Sequence, residues 1–173
     1  GQKLHKQNVF DDFHAAALAL FNTRWTDRAH LGILGGSNGG LLMGSQIVQH
    51  PADYRAVVAR VGIYDMLRHE TDFANGPYNI PEYGSITDPA QFKATLAYSP
   101  LQHVQANTAY PAVLLSTGEN DPRVAPWQSR KFAAALQNAT ASTRPILLLT
   151  RMNAGHGIGA PFSQRVGDTA IGL

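Results

Sequence analysis

The sequence contains no cysteine in its 173 residues, which excludes disulfide bonds, thiolate nucleophiles and metal sites with cysteine ligands. Its formal net charge is only +2, and it has no basic run, so a nucleic-acid-binding surface is not expected. No apolar run approaches the ~20 residues that a membrane-spanning helix needs. We therefore expect a soluble protein without nucleic-acid or membrane binding. Its compartment is the cytoplasm or the periplasm, and the lack of cysteine does not distinguish between the two.

Ordinary globular composition accompanies these absences: 44% of the residues are hydrophobic and 15% are charged, which suits one domain with a core. Short apolar runs predict strands, and segments with helical periodicity lie between them. The predicted strands cover 31–34, 54–63, 111–118 and 144–150, and the predicted helices cover 39–50, 89–98 and 127–139, with one more before the first strand and a last one starting near 161. This alternation predicts an α/β fold, a mostly parallel sheet flanked by helices.

Capping residues mark the start of two of these helices. Asn8 is the predicted N-cap of the first helix, with Asp11 and Asp12 in its first turn. Asp88 is the predicted N-cap of the helix that follows it. That helix is the only regular element predicted between Tyr64 and Tyr110, a segment that we otherwise expect to be irregular.

A glycine-rich turn follows the first predicted strand: residues 35–39 read GGSNG and fit the pattern G-x-S-x-G. A strand-to-helix turn this tight admits only small neighbours and holds the Ser37 hydroxyl exposed at the end of the sheet. The helix behind it offers free backbone N–H groups, so the amide of Asn38 is a candidate oxyanion donor. Since such turns also occur without catalysis, it is the flanking strand and helix that favour Ser37 as a nucleophile.

A serine nucleophile needs a base, and the base needs an orienting acid. Asp121 follows the third predicted strand, and His156 follows the fourth, between two glycines. The order serine, acid, histidine predicts that three loops meet at the carboxyl edge of the sheet. Asp121 could instead only cap the following turn, Glu119 competes for the role of the acid, and His156 could be a solvated loop histidine.

The remaining six histidines, at positions 5, 14, 30, 50, 69 and 103, have no comparable setting. We interpret them as surface or packing residues, because no pair shows the spacing typical of metal ligands. We therefore expect neither a metal nor a cofactor.

Five segments together resemble the catalytic domain of the prolyl oligopeptidase family of serine peptidases: KQNVFDDF, GGSNGGLL, YSPL, DPRV and AGHG. They occur in the order of the family, and the resemblance covers nearly the whole chain. It implies an α/β-hydrolase fold in which Ser37 is the nucleophile, Asp121 the orienting acid and His156 the general base. It also implies that Arg123 binds a backbone carbonyl of the substrate, for which a surface ion pair is the alternative.

The sequence also departs from this family. Residues 1–173 are interpreted as a single, partial catalytic domain, because the propeller domain, the amino-terminal strands of the fold and the loop with a second oxyanion donor have no match. The chain is also expected to stop within its last helix. The proline pocket of the family uses a tryptophan, whereas residues 73–84 contain none. Tyr78 or Tyr83 could form an aromatic wall there, and proline preference is left open.

The missing strands have a physical consequence. Without them the strand that ends at Ser37 becomes a bare apolar edge of the sheet, and such an edge favours pairing with another chain. We therefore predict a homo-oligomer, a rearranged packing, or a partner chain that carries the missing half.

The predicted function is that of a serine hydrolase that works by acyl transfer on peptides, as the resemblance implies. One alternative is an esterase on small esters, because no propeller restricts access to the site. Another is a non-catalytic fragment or interaction module, because the loss of one oxyanion donor costs about 10²–10³ in rate.

Overall fold

Four strands form one sheet at the centre of this structure, a computed structural model that describes residues 1–71, 76–157 and 162–171. Neighbouring strands are all parallel, and their order in the sheet follows their order in the chain. The predicted α/β architecture with a parallel sheet is confirmed. The strands are β1 (Gly32–Gly36), β2 (Ala56–Arg60), β3 (Ala112–Gly118) and β4 (Ile146–Arg151).

Helices connect and flank the strands. Between β1 and β2 lies one helix, and another joins β3 to β4, as parallel pairing requires of each crossover. In the described ranges the helices are α1 (Gln7–Asn22), α2 (Asn38–Gln49), α3 (Gly76–Tyr83), α4 (Pro89–Tyr98), α5 (Trp127–Ala139) and α6 (Phe162–Ile171), with short 3₁₀ turns at 3–5, 66–68 and 100–103. None of the helices in these ranges combines the length and the apolar character needed to cross a lipid bilayer.

Two helix starts differ in how well the sequence predicted them. The Asp88 carboxylate accepts a hydrogen bond of 2.9 Å from the Gln91 N–H, which confirms it as an N-cap. Asn8 is not an N-cap: α1 begins at Gln7, and Lys6 at the cap position already has helical angles and makes no side-chain capping bond. The preceding 3₁₀ turn runs directly into α1, so the helix needs no polar side chain to start it.

Helix α3 lies in the segment that the sequence predicted to be irregular. It begins at Gly76 and contains Pro81, two residue types that argue against a helix when they are read from sequence alone. Burial of Tyr83 at its end, in a core cluster with Phe10 and Met66, holds the helix in place.

One face of the sheet carries the main core. Buried side chains of β2 and β3 on this face pack against buried side chains of α2 and α5: Met43, Ile47, Val57, Ala59, Val113, Leu115, Phe132 and Leu136. Alternation along each strand places every second residue there. This packing fixes α2, and therefore the turn before it, relative to the strands.

The opposite face is far less covered. Strand register aligns Leu34, Val58, Leu114 and Leu147 in one row across all four strands. The two outer members of the row, Leu34 and Leu147, are 56% and 54% exposed. We call this row of four side chains the leucine row. Parallel sheets are normally buried on both faces, so the leucine row and the adjoining free edge of β1 form an unusual apolar surface.

Candidate active site

Ser37 lies in the turn between β1 and α2 with a strained backbone. Its angles are φ 58° and ψ −121°, and a positive φ is uncommon for a residue other than glycine. Its N–H donates to the Arg60 carbonyl at 2.9 Å, and its own carbonyl accepts from the N–H groups of Gly40 and Leu41. A Cβ on Gly35 would lie 2.4 Å from the Gly39 carbonyl oxygen, so only glycine permits this close turn.

His156 bridges Ser37 and Asp121. Its Nε2 lies 2.9 Å from Ser37 Oγ, and its Nδ1 lies 2.7 Å from Asp121 Oδ2. The side chains of His156 and Asp121 are 6% and 0% exposed, which shields the hydrogen bond between them from water. Loops that follow β1, β3 and β4 bring the three side chains together at the carboxyl edge of the sheet, and their catalytic role stays a prediction until it is tested.

Asp121 both orients the histidine and caps its own turn. While Oδ2 faces His156, Oδ1 accepts the backbone N–H groups of Arg123 at 2.8 Å and Val124 at 2.9 Å. Burial by itself raises the pKa of Asp121, but the hydrogen bonds from His156, Val124 and Arg123 outweigh it and leave the pKa below its usual value. The competing acid, Glu119, pairs with Arg130 instead.

The loop that carries Asp121 packs directly against the loop that carries His156. The Asn120 N–H donates to the Ala154 carbonyl at 3.0 Å, and a Cβ on Gly118 would lie 2.3 Å from the Gly155 carbonyl oxygen. Gly157, directly after the histidine, has φ +92°, a conformation that suits glycine. Gly118 therefore lets the histidine loop lie against the aspartate loop, while Gly157 supplies the positive φ of the histidine loop.

A partly buried ion pair between Lys6 and Glu82 lies on the other side of the turn. The Asn38 N–H is the first of α2, where N–H groups lack an intrahelical acceptor, and the Asn38 side chain donates to Glu82 Oε1 at 3.3 Å. The same oxygen accepts from Lys6 Nζ at 2.5 Å, and Lys6 is only 2% exposed. The hydrogen bond from Lys6 is the main reason that the pKa of Glu82 is lowered. Residues 6 and 82 belong to no common sequence motif, and sequence reasoning missed the pair.

A cavity of about 520 Å³ opens beside Ser37 and His156. Arg123 contributes to its wall together with Arg60 and Arg151, so the predicted substrate-binding arginine and Ser37 line the same cavity. Guanidinium groups on a wall of this kind favour carbonyl or carboxylate oxygens.

The two predicted aromatic residues lie elsewhere. Tyr78 is 82% exposed on the outer side of α3. Tyr83 is buried, edge-on to the His69 ring and 5.4 Å from Lys6 Nζ. Within the described ranges, the residues that line the cavity beside Ser37 include neither tyrosine, and their part in a proline pocket stays a prediction.

The other histidines include one group that sequence spacing did not reveal. His14, His50 and Asp53 come from α1, the residue after α2 and the turn before β2, and their possible ligand atoms lie within 4.8 Å of one another. His69, by contrast, is 1% exposed and packs in the core, as a packing residue would. The fold, and not the sequence spacing, brings these possible ligand atoms together, and the expectation that the chain binds no metal stays a prediction.

A sequence model of the prolyl oligopeptidase family matches residues 1–170 of this chain. The chain belongs to the prolyl oligopeptidase family. Among its curated relatives, the prolyl endopeptidase of Dictyostelium discoideum is 38% identical over 173 residues, which covers 98% of this chain and 23% of the relative. The prolyl endopeptidase of Elizabethkingia meningoseptica is 37% identical over 171 residues, which covers 98% of this chain and 24% of the relative. The chain thus spans about a quarter of the length of these relatives.

Solved structures of the prolyl oligopeptidase family share the fold. Prolyl oligopeptidase B from Galerina marginata, bound to a 35mer hydrolysis and macrocyclization substrate, is 35% identical with a TM-score of 0.92. That match covers 98% of this chain and 24% of the other. A prolyl endopeptidase structure from a study of inter-domain dynamics is 47% identical with a TM-score of 0.87, covering 91% of this chain and 23% of the other. The four-stranded sheet described above is thus consistent with the α/β-hydrolase domain of this family.

Proposed function

We propose that this chain is a serine peptidase of the prolyl oligopeptidase type, and that residues 1–173 form a single, partial catalytic domain. The observation that carries the proposal is the continuous hydrogen-bonded series from Ser37 Oγ through both nitrogens of His156 to Asp121 Oδ2. Names of the relatives support peptides as substrates, since several are prolyl endopeptidases.

In this mechanism His156 acts first as a base and then as an acid. Ser37 Oγ attacks the carbonyl carbon of the scissile bond while its proton moves to His156 Nε2. The same proton then passes to the leaving amine, which departs as the C–N bond breaks. Water attacks the resulting acyl-enzyme while His156 accepts its proton; the ester bond to Ser37 Oγ then breaks, His156 returns the proton to Oγ, and the peptide leaves with a new carboxyl group. Asp121 holds the imidazole in the tautomer whose Nε2 can accept.

Charge that develops on the carbonyl oxygen needs donors. The Asn38 N–H directly follows Ser37 at the start of α2, and it would stabilise the oxyanion. Arg123 on the cavity wall would bind a second carbonyl of the peptide. Tyr83, buried in the core cluster with Phe10 and Met66, would form part of a proline pocket only if α3 moved it toward the cavity.

A fluorophosphonate probe followed by mass spectrometry tests this proposal. We expect one adduct on Ser37, none in Ser37→Ala and much less in His156→Ala. Parallel assays with a prolyl-peptide anilide, an alanyl anilide and a small ester then separate the substrate classes, and turnover of the prolyl peptide supports the peptidase. A folded chain that the probe does not label would contradict the proposal, and turnover of the ester alone would contradict the peptide substrate.

We also propose that the chain associates with a second copy through the leucine row and the free edge of β1. Leu34 lies in both surfaces, at 56% exposure, and an edge strand offers unpaired N–H and C=O groups to another strand. Light scattering after gel filtration should give a dimer or larger species, and Leu34→Lys should shift it toward the monomer. A wild-type chain that stays monomeric at every concentration would contradict this, and a complex that forms only with another polypeptide would identify a partner chain.

A further inference from the structure

A group of two histidines and one aspartate lies on the surface away from the candidate active site. His14 Nε2 is 2.8 Å from Asp53 Oδ2. The rings of His14 and His50 stack with 3.5 Å between their centroids and 8° between their planes. Two imidazoles and one carboxylate form a ligand set typical of zinc sites with three protein ligands and one open position.

Arg28 orients the carboxylate of Asp53. Arg28 Nε donates to Asp53 Oδ1 at 2.5 Å, which leaves Oδ2 directed at the imidazole of His14. Carboxylates that ligate metals are commonly oriented by a hydrogen bond to their second oxygen in this way. The arginine also adds a positive charge close to the group, which limits the affinity for a dication.

The group is also accessible without being fully solvated. The side chains of His14 and Asp53 are each 16% exposed, so an ion can reach them while the protein excludes most of the surrounding water. They belong to separate elements, α1 and the turn between α2 and β2, so a shared ion would join these elements.

We propose that His14, His50 and Asp53 bind a first-row transition-metal ion, with Zn²⁺ as the reference ion and water as the fourth ligand. Ligand bonds of about 2.0–2.2 Å place neighbouring ligand atoms about 3.3 Å apart in a tetrahedron. The His14–Asp53 pair therefore opens by about 0.5 Å from its hydrogen-bonded distance of 2.8 Å. The His50 ring rotates out of the stack so that its lone pair converges on the same point.

This site would not take part in acyl transfer. Ser37 precedes α2 and His50 follows it, so the 12 residues of α2 separate them by about 18 Å at 1.5 Å per residue. The ion would instead join α1 to the turn before β2 and stabilise the folded chain, because a ligand that binds only the folded state raises its stability. The inference does not depend on the proposed function.

The test is metal binding to the metal-free protein, measured by calorimetry with Zn²⁺ and by the visible absorption of Co²⁺. We expect one ion per chain, a cobalt spectrum of low coordination number, and a higher melting temperature in the presence of Zn²⁺. The variants His14→Gln, His50→Gln and Asp53→Asn should each weaken binding about tenfold or more, which corresponds to about 1.4 kcal/mol.

The control is His30→Gln. His30 Nδ1 lies 2.7 Å from the carboxylate of Asp27, but both side chains are well exposed. Among the described residues, no third possible metal ligand lies beside this pair. His30→Gln should leave Zn²⁺ binding unchanged. If Asp53→Asn unfolds the chain, the binding measured with His50→Gln decides the question, because the His50 ring contacts the group by stacking on His14. Absence of Zn²⁺ binding, or binding that persists equally in His14→Gln and His50→Gln, would overturn the proposal.

Discussion

Replacing Asp121 with asparagine should inactivate the site while leaving its shape intact. In the wild type, Oδ1 accepts two backbone N–H groups and Oδ2 accepts the proton on His156 Nδ1. Asparagine keeps only one oxygen, and its other terminal atom is an NH₂ donor. The two backbone donors require the oxygen, so the NH₂ group turns toward His156.

A donor at that position reverses the histidine tautomer. Because Nδ1 must then accept, the ring proton moves to Nε2, the atom 2.9 Å from Ser37 Oγ. Nε2 can no longer take the proton of the serine. In serine-protease triads the same exchange lowers kcat about 10⁴-fold, which corresponds to about 5.5 kcal/mol of transition-state stabilisation.

The measurement is the second-order rate of fluorophosphonate labelling at Ser37, followed by intact-mass spectrometry. Glu119→Gln is the matched control, because it removes a carboxylate from the same loop that pairs with Arg130 and not with His156. The control should label at the wild-type rate. If Asp121→Asn, with a native circular dichroism spectrum, labels within about tenfold of the wild type, the assigned role of Asp121 is wrong.

Three further predictions concern stability and support of the site. First, the pKa of Asp121 is lowered from 3.8 in the folded chain, so its ionised form stabilises the fold above that pH, and this contribution is lost as the pH falls through the lower folded pKa. The difference in melting temperature between the wild type and Asp121→Asn should therefore narrow over this pH range, and a constant difference would contradict the lowered pKa. Second, Gly118→Ala places a Cβ 2.3 Å from a backbone oxygen of the facing loop and should slow fluorophosphonate labelling of Ser37 by tenfold or more. Gly32→Ala is the control, because a Cβ there has its nearest neighbour at 3.7 Å; equal labelling rates of the two variants would refute the close approach at Gly118. Third, Glu82→Gln removes the charged partner of the buried Lys6 ammonium and should lower the free energy of unfolding, measured by urea denaturation, by about 1–3 kcal/mol. Adding Lys6→Met should restore part of this loss in the double variant, and strictly additive losses would show that the two residues are not coupled.

Local sequence patterns predicted those elements that local chemistry determines. Helix α5 follows its amphipathic repeat from Trp127 to Ala139, and α4 follows its Asp88 cap. Elements that depend on tertiary contacts were missed. Helix α3 contains Pro81 and is held by the burial of Tyr83.

The same distinction applies to the site. Strand order and the glycines around the serine were enough to predict which three loops would meet, since parallel strands place their carboxyl ends along one edge. The pair of Lys6 with Glu82 and the contact of His14 with Asp53 join residues 76 and 39 positions apart. Neither pair lies in loops at the carboxyl ends of strands, so the strand-order argument does not reach them and only the packed fold reveals them.

The sheet that positions Ser37 also determines which contacts a chain bound to its uncovered face can change. The backbone of Ser37 is tied to β2 through the Arg60 carbonyl, and His156 is tied to Asp121 through loops that follow β4 and β3. All these contacts run along the carboxyl edge, whereas the leucine row lies across one face. A second chain bound on that face would therefore leave the hydrogen bonds of Ser37, His156 and Asp121 unchanged, and would alter the route by which a peptide reaches them. It follows that association should change KM and the size of accepted peptides more than the rate at which a small fluorophosphonate labels Ser37.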